Sequence, residues 1–173
     1  SLLQPGWMLF SDGFKYSKRR MFAKRLFDLL LASAFLLLLW PFMLLTALAV
    51  KLESPGSVLY HQIRIGLNGR QFRIYKFRSM RQDAEKNGAV WAKKNDSRIT
   101  RVGAFIRNTR LDELPQLYNV FVGDMSFIGP RPERPEFVSE LAQQIPFYEM
   151  RHKVKPGLMG WAQLKYPYGA SVE

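Results

Sequence analysis

The sequence contains no cysteine and only two histidines. Without cysteine the chain can form no disulfide, offers no thiol nucleophile and holds no cysteine-ligated metal. His61 and His152 lie far apart, without the spacing of a metal-ligand pair. No Walker A loop is present, because RIGLNGR lacks the GK[ST] ending. Ser79 and Ser126 lack a nucleophile-elbow context, which argues against serine hydrolysis.

Acidic residues are also scarce. The chain has 14 Asp and Glu against 26 Lys and Arg, which gives a formal net charge of +12. Such an excess favours an anionic partner, which could be nucleic acid, a membrane surface or a phosphorylated substrate. The 13 Phe, 7 Tyr and 4 Trp residues suit a membrane interface when they lie among lysines and arginines, although ordinary cores use phenylalanine too. A chain of 173 residues fits one domain with a real core.

Polar side chains are almost missing between residues 29 and 50, where only Ser33 and Thr46 interrupt the apolar run. As a helix this run would be about 33 Å long, comparable to a bilayer core of about 30 Å. It is too long for a removable signal peptide and lacks a cleavage site. We therefore predict contact with lipid; the alternative is a buried core helix.

The charges on both sides of this run bear on its topology. Basic residues precede it at positions 15, 18, 19, 20, 24 and 25, and others follow it from position 64 to 81. The positive-inside rule keeps both flanks cytoplasmic, which a single crossing cannot satisfy. Pro41 would kink or break the helix near its middle. A helix–break–helix that re-enters on one face satisfies both flanks, yet proline also occurs in spanning helices.

The rest of the chain reads as a helix-rich mixture of helices and strands. The NG pair at Asn68 predicts a β-hairpin turn, and Pro115 predicts a helix that opens near Asp112 and runs to Gly123. The predicted elements are a long helical unit over 18–50, a hairpin over 58–80, a helix and exposed loop over 81–97, a helix over 99–108, an irregular stretch over 129–135, a helix over 136–151 interrupted by Pro146, and a final loop over 152–173.

Two adjacent carboxylates, Asp112 and Glu113 in RNTRLDELPQLYN, are the best candidates for chemistry. At a helix start they would lie among unpaired N–H groups that also attract phosphate, so a carboxylate there could attack phosphorus. The alternative is structural: aspartate commonly caps a helix, and glutamate in the first turn complements the dipole.

Three basic side chains could bind phosphate. Pro130 and Pro132 stiffen the backbone around Arg131, which reduces what its guanidinium loses on clamping a phosphate. In YKFRSM, strand alternation places Lys76 and Arg78 on one face. The alternatives are a solvated turn for Arg131 and a solvated basic face for the strand.

In order, RIGLNGRQFRIYKFRSM, DSRITRVGAFIRNTRLDELPQLYNVFVGDMSFIGPRP and KPGLMGWAQL closely resemble the bacterial sugar transferase family, the monotopic polyprenyl-phosphate phosphoglycosyl transferases. The resemblance runs from about residue 18 to the end, and the tail KYPYGASVE is similar to the exopolysaccharide-initiating branch. One departure is Met159, where members usually have threonine, so any role of that hydroxyl is absent.

The resemblance implies an α/β catalytic domain on the cytoplasmic face of the bacterial inner membrane, with a re-entrant helix–break–helix anchor interrupted at Pro41. It divides the chain into a linker from an upstream region (1–17), the anchor (18–50) and a C-terminally incomplete catalytic domain (51–173). It matches Asp112 to the nucleophile and Arg131 to a phosphate binder, with Lys76 and Arg78 as further candidates. It matches Glu113 to the dyad partner of Asp112, which could join Asp112 in holding Mg²⁺ or orient Asp112.

The implied reaction moves a sugar-1-phosphate from a nucleotide sugar, with UDP expected, to undecaprenyl phosphate through a covalent aspartyl intermediate. The expected partners are these two substrates and an anionic phospholipid membrane, without nucleic acid; a homo-oligomer stays open. Two rivals fit the composition: a membrane-associated nucleic-acid binder, for which no motif is present, and a non-catalytic membrane scaffold, which would tolerate loss of the acids. Only the transferase releases nucleoside monophosphate.

Overall fold

The structure is a computed structural model that describes residues 17–84 and 96–160. Its helices and strands, numbered in chain order, are α1 Lys18–Glu53, β1 Leu59–Ile65, β2 Gln71–Phe77, α2 Arg101–Asn108, α3 Gln116–Val122, β3 Ser126–Ile128, α4 Pro135–Gln144 and β4 Gly157–Met159. Short 3₁₀ turns lie at Leu67–Gly69, Leu111–Glu113 and Tyr148–Lys153. This confirms the predicted mixture of helices and strands. The linker and most of the helix and loop predicted over 81–97 fall outside the described residues.

The apolar N-terminal segment forms one helix, α1, which continues through Pro41. The predicted break is not seen. Proline removes one backbone hydrogen bond, but Ala32 and Val50, on either side of it, are buried in separate clusters that hold both halves of the helix in place. The 36 residues extend over about 54 Å, and α1 is long and apolar enough to cross a membrane by length and composition.

One surface of α1 exposes large apolar side chains along its whole length. They include Met21, Phe22, Leu26, Phe27, Leu30, Phe35, Leu37, Leu38, Trp40, Phe42, Leu44, Leu45, Leu48 and Leu52. Soluble monomers rarely expose a continuous apolar surface of this extent. The surface is therefore suited to lipid, which agrees with the predicted membrane association.

Several ends of the remaining helices lie at residues that the sequence signals. The Thr100 hydroxyl caps α2 by accepting from Gly103 N at 2.9 Å, and Gly123 ends α3 with a φ of 101°. Pro135 occupies the first turn of α4. The helix predicted over 136–151 is divided at Pro146, as expected, into α4 and a 3₁₀ turn.

Two small sheets complete the fold. β1 and β2 form the predicted antiparallel hairpin, and Asn68 and Gly69 in its connection have φ values of 54° and 76°. β3 pairs with β4 in parallel, with Ser126 opposite Gly157. The prediction of a loop over 152–173 was therefore wrong at β4, and residues 161–173 fall outside the described residues. A three-residue strand has too little alternation to be recognised, and its partner is distant in the sequence.

α1 also supplies the centre of the hydrophobic core. Its residue Ala32 packs in a cluster with Ile74, Leu117, Val120, Met125 and Phe127. Nearer its C-terminus, Val50 packs with Phe77 and Ile106. The membrane-suited helix and the hairpin that carries Lys76 therefore share one packed interior.

Candidate active site

Asp112 and Glu113 lie in the 3₁₀ turn Leu111–Glu113, which follows Arg110 at a φ of 61°. α3 begins at Gln116, with Pro115 in its N-cap position. The helix predicted to open near Asp112 therefore opens four residues later and ends at Gly123 as predicted. Proline has no N–H with which to form the α-helical bond, and the turn is closed by Leu114 N donating to Leu111 O at 3.2 Å. The proposed attraction of phosphate to a helix end at Asp112 loses its basis.

The Asp112 side chain is buried and incompletely paired. The residue is only 8% exposed, and its Oδ1 atom has no hydrogen-bond partner. Burial raises the pKa of this carboxyl above its usual range, although the positive charge of Lys76 partly opposes the rise. A buried carboxylate oxygen without a donor is costly to keep, and such groups concentrate at functional sites.

Glu113 has the opposite environment. Lys76 Nζ lies 2.8 Å and Arg131 Nη2 3.4 Å from its Oε1 atom. Burial alone would raise the pKa of Glu113, but the charge of Lys76, followed by that of Arg131, outweighs it and lowers the pKa to about 2. Glu113 is therefore anionic at neutral pH. The structure brings four of the candidate side chains, those of Lys76, Arg131, Asp112 and Glu113, into one cluster.

Arg78 is not part of this cluster. β2 ends at Phe77, and the Arg78 guanidinium donates to Ser54 O and Pro55 O, both at 2.7 Å. These carbonyls lie just beyond the C-terminus of α1, so Arg78 secures the link between α1 and the hairpin. The prediction that Arg78 shares a strand face with Lys76 fails because the strand stops one residue earlier.

Arg131 lies in a loop whose backbone is held on several sides. Four successive carbonyls of the loop accept hydrogen bonds from four different partners. The bonds run from Gly157 N to Pro130 O at 3.0 Å, from Arg151 Nη2 to Arg131 O at 2.7 Å, from Arg64 Nη1 to Pro132 O at 2.9 Å and from Ile65 N to Glu133 O at 2.9 Å. The fixed backbone holds Arg131 in place beside Glu113. Sequence reasoning missed Arg64 and Arg151, and no local pattern marks them.

The same loop depends on a close approach of two glycines. A Cβ atom at Gly129 would overlap the backbone of residues 155–157, and one at Gly157 would overlap Gly129 itself. Only glycine permits this approach. The contact explains in physical terms why the GPRP and KPG motifs occur together.

A small, partly open pocket of about 10 Å³, room for about one water molecule, lies between the hairpin, the Arg131 loop and β4. It is lined by Arg64, Ile74, Lys76, Gln116, Arg131, Pro132, Gly157 and Leu158. Gln116 is buried and its Nε2 atom has no partner, so it is a donor that sequence reasoning missed. Gln116 follows Asp112 by four residues, and this spacing could have identified it as a candidate. The pocket has the basic lining that a phosphate needs.

A second polar cluster joins α1 to β3. Asp28, 3% exposed, accepts hydrogen bonds from Ser126 Oγ at 3.1 Å and Phe127 N at 3.3 Å, and Lys24 Nζ lies 3.5 Å from its Oδ2 atom. Lys24 also donates to Ser126. The Arg25 guanidinium donates to two carbonyls at the end of α3. The sequence analysis assigns Lys24 and Arg25 to the membrane flank. The signal that could have indicated a polar cluster here is that Asp28 is the only acid between residues 18 and 50.

The chain matches the family described as bacterial sugar transferase over residues 19–172. It is 53% identical over 152 residues to the UDP-N-acetylgalactosamine-undecaprenyl-phosphate N-acetylgalactosaminephosphotransferase of Aeromonas hydrophila, covering 88% of this chain and 36% of that protein. It is 48% identical over 141 residues to the UDP-glucose:undecaprenyl-phosphate glucose-1-phosphate transferase of Escherichia coli (strain K12), covering 82% and 30%. The chain belongs to the bacterial sugar transferase family.

A third relative is the exopolysaccharide production protein PSS of Rhizobium leguminosarum bv. phaseoli, 45% identical over 146 residues, which cover 82% of this chain and 73% of that protein. The chain thus spans about a third of the length of the first two relatives and about three quarters of the third. The region that matches the family, residues 19–172, contains every residue of the cluster described above.

Proposed function

We propose that this chain carries the catalytic site of a phosphoglycosyl transferase that moves a sugar-1-phosphate from a nucleotide sugar to a polyprenyl phosphate. The observation that supports it most directly is the Asp112 Oδ1 atom, buried without a partner next to a cationic cluster. Most buried polar atoms of structural side chains are paired. The names of the relatives supply undecaprenyl phosphate as the acceptor and UDP as the nucleotide of the donor.

The reaction we propose has two displacements at one phosphorus atom. An Asp112 oxygen forms a bond to the phosphorus that bears the sugar, and the bond from that phosphorus to the bridging oxygen breaks, so the nucleoside monophosphate leaves with the electron pair. An oxygen of polyprenyl phosphate then attacks the same phosphorus and releases the Asp112 carboxylate. The bond between the sugar and its phosphate oxygen is never broken, so the anomeric configuration is retained.

Lys76 and Arg131 would stabilise this transfer through charge. The diphosphate brings negative charges that repel an attacking carboxylate, and cations fixed beside the transferring phosphoryl group reduce this repulsion. Arg131 is suited to the task because its loop is already held in place, so little freedom is lost on binding. The raised pKa of Asp112 also indicates a more basic, and hence more nucleophilic, carboxylate.

Mg²⁺ is the proposed cofactor. Across residues 17–84 and 96–160 no group of three or more histidine or acidic side chains could form a protein cage for a metal. Mg²⁺ does not need one, because it is held by one or two carboxylates together with substrate phosphates and water. The unpaired Oδ1 of Asp112 fits this role, with Glu113 as the second carboxylate. When bound, the ion would neutralise charge on the phosphates.

Mass spectrometry tests the covalent step. The protein is incubated with UDP-sugar and Mg²⁺ without lipid acceptor, and we expect a peptide containing Asp112 to gain the mass of one sugar phosphate. Because the relatives named above act on different sugars, a panel of UDP-sugars is used, and release of UMP is measured in parallel. UMP release without any adduct would contradict the covalent step, and no release with any donor would contradict the transferase.

We also propose a re-entrant arrangement, in which both ends of α1 lie on the cytoplasmic face of the inner membrane of a bacterium. Near its N-terminus Arg25 bonds to Val120 O, and at its C-terminus Glu53 accepts from Val102 N at 3.0 Å. These contacts are separated by about 42 Å of helix, yet both are made with the same small domain. A straight crossing would place the two contacts on opposite sides of the bilayer. The polar backbone of the domain that makes both contacts would then lie in lipid.

Cysteine labelling tests this topology, and the cysteine-free chain allows single cysteines to be introduced cleanly. We expect positions 20 and 70 to react with a membrane-impermeant thiol reagent only after the inner membrane is opened. Periplasmic labelling at position 70 would contradict the re-entrant arrangement. Pro41→Ala should restore the backbone hydrogen bond that proline lacks, strengthen a straight crossing and increase such labelling.

A further inference from the structure

Both cations of the cluster contact the same atom. Lys76 Nζ and Arg131 Nη2 lie 2.8 Å and 3.4 Å from Glu113 Oε1. These two side chains also line the pocket, as does Arg64, and Arg64 lies 3.6 Å from Glu133. Each cation that borders the pocket therefore has a glutamate beside it. The positive charge of the pocket lining is therefore partly offset by side chains of the chain itself.

Carboxylate and phosphate oxygens are equivalent acceptors for lysine and arginine. A phosphate that binds Lys76 and Arg131 must therefore replace Glu113 or lie beside it. If Glu113 stayed in contact with both cations, the two anions would repel each other in a partly buried site, where screening is weak. Glutamate has a side chain long enough to swing away while the backbone of the turn stays in place.

We propose that the Glu113 carboxylate holds Lys76 and Arg131 as an internal substitute for a substrate phosphate, and that the incoming phosphate displaces it. The inference rests on the proposed function, in which the ligand is a diphosphate. It gives Glu113 a role distinct from that of Asp112. Glu113 keeps the cations in position between turnovers, and once displaced, its oxygens become available to the divalent ion.

Isothermal titration of inorganic pyrophosphate in the presence of EDTA tests the proposal, with the full chain in an uncharged detergent. Glu113→Gln keeps the size of the side chain but removes the competing charge. We expect it to bind pyrophosphate at least tenfold more tightly than the unsubstituted chain, even though it should not turn over. Equal or weaker binding by Glu113→Gln overturns the proposal.

Two controls separate competition from a general gain of positive charge. Glu136→Gln changes the net charge equally, but Glu136 is exposed on α4, so its pyrophosphate affinity should stay within twofold of the unsubstituted chain. An equal tightening in Glu136→Gln overturns the proposal. If Glu113→Gln does not fold, Glu113→Asp is used: its shorter side chain should loosen the contact and tighten binding several-fold, and no tightening overturns the proposal.

A double-mutant cycle with Arg131→Gln identifies the cation that is released. We expect Arg131→Gln to weaken pyrophosphate binding more in the Glu113→Gln background than in the unsubstituted chain; equal effects overturn the proposal. The adduct on Asp112 is measured separately. An adduct with no tightening by Glu113→Gln removes only this inference, whereas tightening without an adduct supports the displacement of Glu113 and removes the proposed covalent transfer.

Discussion

Asp28 and Asp112 are both buried aspartates, but their surroundings differ. The Asp28 carboxylate, at the junction of α1 and β3, receives hydrogen bonds from Ser126 and Phe127 and lies beside Lys24. The Asp112 carboxylate keeps one buried oxygen without a partner and has a pKa above its usual range. A buried charge whose bonds are complete stabilises the fold, whereas one whose bonds are incomplete has capacity left for a ligand. Burial alone therefore does not identify the functional carboxylate.

The largest effect is expected from Asp112→Asn. The amide is not an anionic nucleophile, so turnover should fall by more than about 10³-fold and the adduct should vanish. Thermal stability should stay equal or rise, because a buried charge is removed. Turnover and the melting temperature are measured on the same detergent-solubilised sample. Normal turnover in this variant would show that Asp112 is structural, like Asp28.

Asp28→Asn is the matched change at the junction. It leaves a neutral acceptor where Ser126, Phe127 and Lys24 met a carboxylate, so we expect a loss of about 2 kcal/mol in the free energy of unfolding. The folded fraction should still form the Asp112 adduct. Chemical denaturation and adduct mass are the measurements, and an unchanged stability would contradict the structural role of Asp28.

Arg131 and Arg78 allow the same comparison between two arginines. Arg131→Lys keeps the charge but loses the planar guanidinium, so turnover should fall about tenfold to a hundredfold with the melting temperature unchanged. Arg78→Lys should lower the melting temperature and leave the turnover of the folded protein unchanged, because the Arg78 guanidinium binds the carbonyls of Ser54 and Pro55. Kinetics and thermal unfolding are compared for the pair. A loss of turnover in Arg78→Lys without a loss of stability would indicate that Arg78 binds phosphate.

The smallest effect concerns acid stability, where the neighbouring carboxylates should act in opposite directions. The pKa of Glu113 falls from 4.5 to about 2 on folding, so its stabilising contribution, on the order of 3 kcal/mol, is present above pH 4.5 and is lost as the pH falls towards 2. The raised pKa of Asp112 does the opposite: stability falls as the pH rises from 3.8 through that raised pKa.

Unfolding midpoints of Glu113→Gln and Asp112→Asn between pH 2.5 and 6 measure these contributions. Glu113→Gln should flatten the loss of stability in acid, and Asp112→Asn should steepen it. If both variants change the slope in the same direction relative to the unsubstituted chain, the opposite pKa shifts of the two carboxylates are contradicted.

Local patterns in the sequence were enough to identify the long apolar helix, the hairpin with its NG turn, and the helix at 101–108. Each depends on interactions between residues close in the chain, such as the Thr100 cap and the positive φ of Asn68. The motif order identified the family, and with it Asp112, Glu113 and Arg131. These residues could be named without a structure because the site is built from short, distinctive segments.

Tertiary structure alone decided which charges meet. Lys76 and Arg78 are two residues apart, yet one contacts Glu113 and the other the end of α1, because the strand ends between them. The parallel pairing of β3 with β4, the carbonyl bonds from Arg64 and Arg151, and the burial of Asp28 against Ser126 join residues far apart in the chain. Such contacts depend on packing and leave no periodic trace in the sequence, so they could not be predicted from it.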